Sequence, residues 1–146
     1  MKRIALLLLA VLVLIQYIPV STANPPVTRD AHWNSPATRA LAKRACFDCH
    51  SNETRWPWYA RIAPASFLMA NQVTDGRRDL NFSEWDKPQR SRMDDVQREV
   101  DNGDMPSWDY VLLHPEAKLS AAEKARLIDG LKATYLLKPP TLAPRR

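Results

Sequence analysis

ACFDCHSNETRWPWY, residues 45–59, holds both cysteines of the 146-residue chain. They are spaced Cys46-x-x-Cys49, and His50 follows directly. Four readings of such a pattern compete. A redox dithiol of the thioredoxin kind follows a strand in a βαβ unit, and no strand pattern precedes Cys46. A structural zinc site needs four ligands, and His32 and His114 lack the paired spacing that would complete one. A plain disulfide across two residues closes so small a loop that it adds little stability.

The remaining reading is covalent haem, for which C-x-x-C-H is the attachment signature. Two cysteines three apart lie on one helical turn, at a separation suited to the two vinyl groups on one haem edge. Each thiol adds across a vinyl double bond, its sulfur to one carbon and its hydrogen to the other, giving a thioether. The adjacent histidine is then aimed at the iron. The context favours haem, with the dithiol and zinc readings kept as alternatives.

The N-terminus agrees with that context. Lys2 and Arg3 precede the apolar run Ile4–Val20, IALLLLAVLVLIQYIPV, and Ser21-Thr22-Ala23 offers small residues suited to a signal peptidase. The run is at the short edge of a membrane span and slightly long for a signal core. Residues 1–23 therefore read as a cleaved signal or a retained anchor, placing the remainder in the periplasm, soluble or tethered to the inner membrane.

The formal charge is +5 for the whole chain. Beyond Ala23 it is 19 basic against 16 acidic residues, scattered without a basic block, which gives no ground for nucleic-acid binding. That part carries 21 Leu, Ile, Val and Phe in 123 residues, about 17%, yet all five tryptophans. So few aliphatics sit below the level, roughly one-fifth, at which chains often fail to fold. A large apolar ligand contributing to the interior would resolve the imbalance.

The pattern predicts an all-α chain. Residues 24–35 read as an extended, proline-bearing linker. Ser35-Pro36 caps a helix running to about Cys46. A second helix starts at Pro64 and runs to Asp75, with Gly76 as its stop. Leu80–Trp85, LNFSEW, reads as loop. Pro88 opens a third helix, with Met93, Val96 and Val100 on one face and Asn102-Gly103 at its end. Met105–Pro115 reads mostly as loop. Ser120-Ala-Ala-Glu123 is a capping box for a last helix bearing Leu127, Ile128, Leu131 and Tyr135. Gly130 inside it costs about 1 kcal/mol relative to alanine, which close packing on another helix would justify. One domain over 36–137 and a disordered tail over 138–146 complete the expected organisation.

A six-coordinate iron needs a second axial ligand. Met93 shares a stripe with Val96 and Val100, and Met69 lies near Phe67 in a helix, so both read as packing. His32 sits in an exposed lead-in. Met105 differs, because it lies in a loop with Pro106 restricting the backbone beside it. It is the expected ligand, with His114 its rival. Trp56, Trp58 and Tyr59 are expected to line the haem edge or form an aromatic cluster. Pro64 is a candidate to offer its carbonyl to His50. Arg55, Arg61, Arg77 and Arg78 are candidates for the haem propionates, with Trp108 and Tyr110 as further hydrogen-bond donors.

CFDCHSNETRWPWY, the Pro64 helix start, LNFSEW, GDMPSWDYVLLHPEAKLS and the closing helix together are similar to class I c-type cytochromes. They resemble more closely the bacterial haem-binding domain family, over about residues 36–137. The resemblance implies a small helical domain wrapped around one covalently attached haem c. Cys46 and Cys49 would be the thioether residues, His50 the proximal ligand and Met105 the distal one. Gly130 departs from the family, where tryptophan is the expectation. The family is named for its haem and constrains the cofactor more than the physiology; the first reading of the role is a monomeric one-electron carrier serving envelope redox partners. Asp94, Asp95 and Glu99 read as solvated charges, and no acid–base pair or nucleophile points to an enzyme. A haem sensor or peroxidase-like protein with an open sixth position is the alternative.

Overall fold

The computed structural model describes residues 1–144. Among them there are seven α-helices and no strand: α1 (Lys2–Leu14), α2 (Pro36–Ala45), α3 (Phe47–His50), α4 (Ala65–Asp79), α5 (Met93–Asn102), α6 (Trp108–Leu113) and α7 (Ala121–Leu137). The all-α expectation holds. α1 is apolar and exposed along its whole length, and one 3-10 turn, Ile15–Tyr17, continues it. Among the described residues no helix is long and apolar enough to cross a membrane.

α2 and α7 frame the domain. The Ser35 hydroxyl accepts from the Thr38 amide at 3.2 Å and caps α2, with Pro36 at its first position. Ser120 and Glu123 form the capping box of α7. The Glu123 carboxylate also accepts from Arg44 of α2 at 2.6 Å, and its pKa falls to about 2, first through the Ser120 backbone bond and then through Arg44. The two helices cross at Gly130. A Cβ there would stand 2.2 Å from Thr38 Oγ1 and 2.6 Å from its methyl. The glycine's cost is thus offset by the close approach it permits, and a tryptophan has no room. Gly130→Ala is expected to lower stability by about 2 kcal/mol through overpacking, with Gly130→Ala/Thr38→Ala recovering part of it. Thermal melting of both variants checks this, and an unaltered single variant contradicts it.

The shortage of aliphatics is met by aromatics. Trp33 lies 5.8 Å from Phe47 and 5.1 Å from Phe82, Phe82 stacks on Trp85 at 6.0 Å, and Tyr135 stands edge-on to Trp85 at 5.0 Å. Ala42, Leu127 and Leu131 close this core. Ring faces and edges at such spacings bury much area per residue.

The two loop strings singled out in the sequence interlock. Phe82 N donates to His50 O at 2.9 Å, Asn52 N to Ser83 Oγ at 3.0 Å, and the Asn81 side-chain amide to Asn52 Oδ1 at 2.9 Å. LNFSEW is therefore a buried strap with its polar groups satisfied, seated beneath the cysteine motif. Residues 24–35 are less independent than a linker: Thr28 and Arg29 donate to Ser83 O, and Ala31 to Phe82 O. The tail is paired as well. Gln89 N donates to Thr141 O and Ala143 N to Gln89 O, both at 2.7 Å. Residues 145–146 lie outside the described residues.

Two helix boundaries differ from expectation, and one helix is additional. α5 starts at Met93 rather than Pro88, because Asp95 Oδ2 accepts from the Arg92 amide and caps it there. Its end is as read, with Gly103 left-handed at φ 84°. α6 forms within the segment read as loop. α4 runs through Gly76 to Asp79. Gly76 stands there for a close approach, since a Cβ on it would lie 2.5 Å from the Cys49 carbonyl oxygen.

Candidate functional site

Phe47–His50 is a single helical turn. Cys46 carries its first carbonyl, which accepts from Cys49 N at 3.2 Å and His50 N at 2.8 Å. This turn places both thiols and the imidazole on one small structure. The thiols do not pair with each other. Burial pushes the Cys46 thiol up to about 12 and, with the Asp48 carboxylate adding, the Cys49 thiol up to about 11. A redox dithiol needs the opposite shift. Among the described residues no three His, Cys, Asp or Glu side chains converge to hold a metal ion, so the zinc reading has no ligand set.

His50 is fixed by backbone. Its Nδ1 lies 3.0 Å from Gly76 O and 3.1 Å from Leu80 O, where α4 ends. Two acceptors require Nδ1 to carry the proton, and burial lowers the ring's pKa and keeps it neutral. The lone pair is therefore on Nε2, the state of a histidine prepared as a metal ligand. The carbonyl of Pro64, a candidate for this bond, accepts instead from Phe67 and Leu68 in the first turn of α4. The motif packs on the other end of that helix, where the missing Gly76 side chain admits it.

Cys46, Cys49, His50, Met105, Pro106 and Tyr110 line one cleft. Met105 is held by its own amide, which donates to Glu99 O at 3.1 Å, and is 41% exposed. His114, the rival, is engaged elsewhere: its Nε2 is 2.7 Å from the Tyr59 hydroxyl, its Nδ1 faces Glu116, and its ring stacks on Tyr110 at 4.3 Å. Met69 and Met93 pack against core clusters, and His32 is exposed.

The aromatic run behind the motif divides. Tyr59 lines a second recess of about 250 Å³ with Leu68, Met69, Trp108, Leu112 and Leu113. Trp58 does not line the cleft and is 76% exposed, its ring edge-on to Tyr59. Trp56 donates to Asn24. Of the arginines considered for propionates, three have partners. Arg55 pairs with Asp48, Arg78 with Asp75, and Arg77 donates to Ser51 O, Thr54 Oγ1 and Asn24 Oδ1. Arg61 is exposed.

Sequence reading missed Asp48. This carboxylate is buried in the middle of the motif and accepts from Tyr110 Oη at 2.5 Å, the Arg55 amide at 2.9 Å and the Arg55 guanidinium at 3.0 Å. The x positions of C-x-x-C carry no general expectation, so nothing local marks it.

The donor set fits a haem: two thiols, a nitrogen lone pair and a thioether line one cleft. The cleft alone encloses only about 30 Å³. The 250 Å³ recess lies on one side of α6, and another of about 210 Å³, lined by Met105, Trp108 and Lys124, on its other side. Ligand clefts run to roughly 300–1,000 Å³. The three recesses together reach that range, and side chains of α6 border all of them.

These features define a small all-helical protein in which a C-x-x-C-H turn lines a cleft. The chain belongs to the Haem-binding domain family, whose profile matches residues 10–133. It is a haem-binding protein. No curated protein and no solved structure matches it.

Gly76 gives the site a direct test. Gly76→Ala places a methyl against the Cys49 backbone, which cannot rotate away. α4 must withdraw, taking with it a carbonyl that holds His50. The expected result is a loss of about 2 kcal/mol in stability together with weakened haem retention. Melting and haem content check it, and a variant normal in both contradicts the assignment.

Proposed function

We propose that the protein carries one covalently attached haem c and passes single electrons in the bacterial envelope. Cys46 and Cys49 would hold the porphyrin edge as thioethers, with His50 Nε2 and Met105 as axial ligands. One observation carries this reading: the four side chains share a single cleft, with His50 Nδ1 bound to two carbonyls. Bound haem would supply a one-electron ferric–ferrous couple. The chain's own part is to fix the imidazole, exclude water with the α4 and α6 side chains, and favour the reduced iron through a neutral sulfur. Trp108, Leu112 and Leu113 are exposed at the recess that shares Tyr110 with the cleft, an apolar patch suited to a redox partner.

The absence of a proposed acid–base role rests on engagement. Asp48 is bound by Arg55 and Tyr110, and His114 by Tyr59 and Glu116. The exposure of Met105 favours a second reading, a sensor or peroxidase-like protein whose sixth position opens. α1 spans about 20 Å, the length of a signal core rather than of a bilayer. We read residues 1–23 as an export segment. N-terminal sequencing of the mature protein distinguishes cleavage after Ala23 from retention.

The deciding experiment is a pyridine haemochrome assay on protein matured in the envelope, joined to a haem stain after denaturing electrophoresis. Haem that survives denaturation at one per chain supports the proposal. Haem lost on the gel removes covalent attachment while leaving haem binding intact.

A further inference from the structure

α6 is held over the cysteine motif in an unusual way. The element whose backbone packs closely on it is the 3-10 turn that follows, Pro115–Ala117. Its attachment to the rest of the site runs through side chains. Tyr110 donates to Asp48 of α3, Gln72 of α4 donates to Asp109 at 2.6 Å, and Tyr59 meets His114 just past the helix end. Of these, Asp48–Tyr110 joins α6 to the motif turn itself. Both residues are buried, and Arg55 fixes the carboxylate from the other side with its amide and its guanidinium. Met105 lies five residues before Tyr110. Its loop is anchored at the far end by the two amides, Asp104 and Met105, that donate to Glu99 O. The near end depends on where α6 sits.

We infer that the Asp48–Tyr110 hydrogen bond is a latch that holds α6, and with it Met105, across the cleft, so that it sets whether sulfur or an external small ligand takes the sixth position on the iron. Tyr110 is a positioning residue in this scheme. The inference rests on the axial pair His50 and Met105 proposed above. A hydrogen bond to a buried carboxylate biases such an equilibrium by roughly 10- to 100-fold. Tyr110→Phe removes the donor while keeping the ring that stacks on His114 and closes the cleft.

The test uses the matured holoprotein. In Tyr110→Phe the long-wavelength ferric band of sulfur ligation is expected to fade, and the rate of carbon monoxide binding to the reduced protein to rise about tenfold or more. Covalent haem content should not change. Asp48→Asn keeps an oxygen that can accept from Tyr110 and is expected to retain most of the band, a rescue that a merely structural role would not give. It also serves if Tyr110→Phe fails to fold: Asp48→Asn must then keep the band while Asp48→Ala loses it. If the unsubstituted protein shows no sulfur band, the axial assignment falls and the latch with it. If it shows the band and Tyr110→Phe leaves both band and binding rate unchanged, the latch alone is overturned.

Discussion

Replacing Cys46 and Cys49 together with alanine is expected to abolish covalent haem completely while leaving a chain that still folds in part. No stain should survive denaturing electrophoresis, and the intact mass should equal that of the bare polypeptide. The reason is local. The two thiols sit on one turn, closed by the Cys46 carbonyl accepting from Cys49 N and His50 N, and they are the only two cysteines of the chain, so no other thiol can add to a vinyl group. Each single variant keeps one thiol in place and should retain some covalent haem. Alanine at both positions removes only one sulfur atom each, although Cys46 packs against the aromatic core of Phe47, Phe82 and Trp85. Haem that stayed covalently attached in the double variant would end the thioether assignment.

Met105→Ala is the second large effect. The expected spectrum changes from low-spin to high-spin. The long-wavelength ferric band disappears, carbon monoxide binds rapidly, and the potential falls, because a neutral thioether favours the reduced iron. Truncation at this loop position should cost little stability, since Met105 is already 41% exposed. The control is His114→Ala. With both ring nitrogens engaged by Tyr59 and Glu116, His114 should leave the spectrum as it was. If instead Met105→Ala is silent and His114→Ala is not, the distal ligand has been misassigned. The control separates ligation from packing, because removing His114 also unstacks Tyr110.

Where the sequence was readable, it was because the signal is short-range. Ser35-Pro36, Ser120 with Glu123, and Asn102-Gly103 each mark a helix end by chemistry within four residues, and each stands where expected. The motif turn is of the same kind. Gly76 shows the limit. A glycine after a helical stretch ordinarily stops it, yet here the helix continues and the glycine serves a neighbour 27 positions earlier. Gly130 follows the same logic against Thr38. α6 was missed because six residues between Pro106 and Pro115 offer no periodicity to recognise. Its stability comes from Tyr110, Asp109 and His114 finding partners on other elements. The tail likewise reads as disordered until Gln89 is found beside it.

The helical class and the haem-binding character were legible in the amino-acid order alone, because the C-x-x-C-H spacing and helix capping are decided by covalent neighbours a turn or less apart. Only the tertiary structure decided which carbonyls hold His50, which sulfur shares its cleft, and that a carboxylate inside the motif reaches α6. Those depend on contacts between residues 26 to 62 positions apart, and their geometry exists only once the aromatic core has closed.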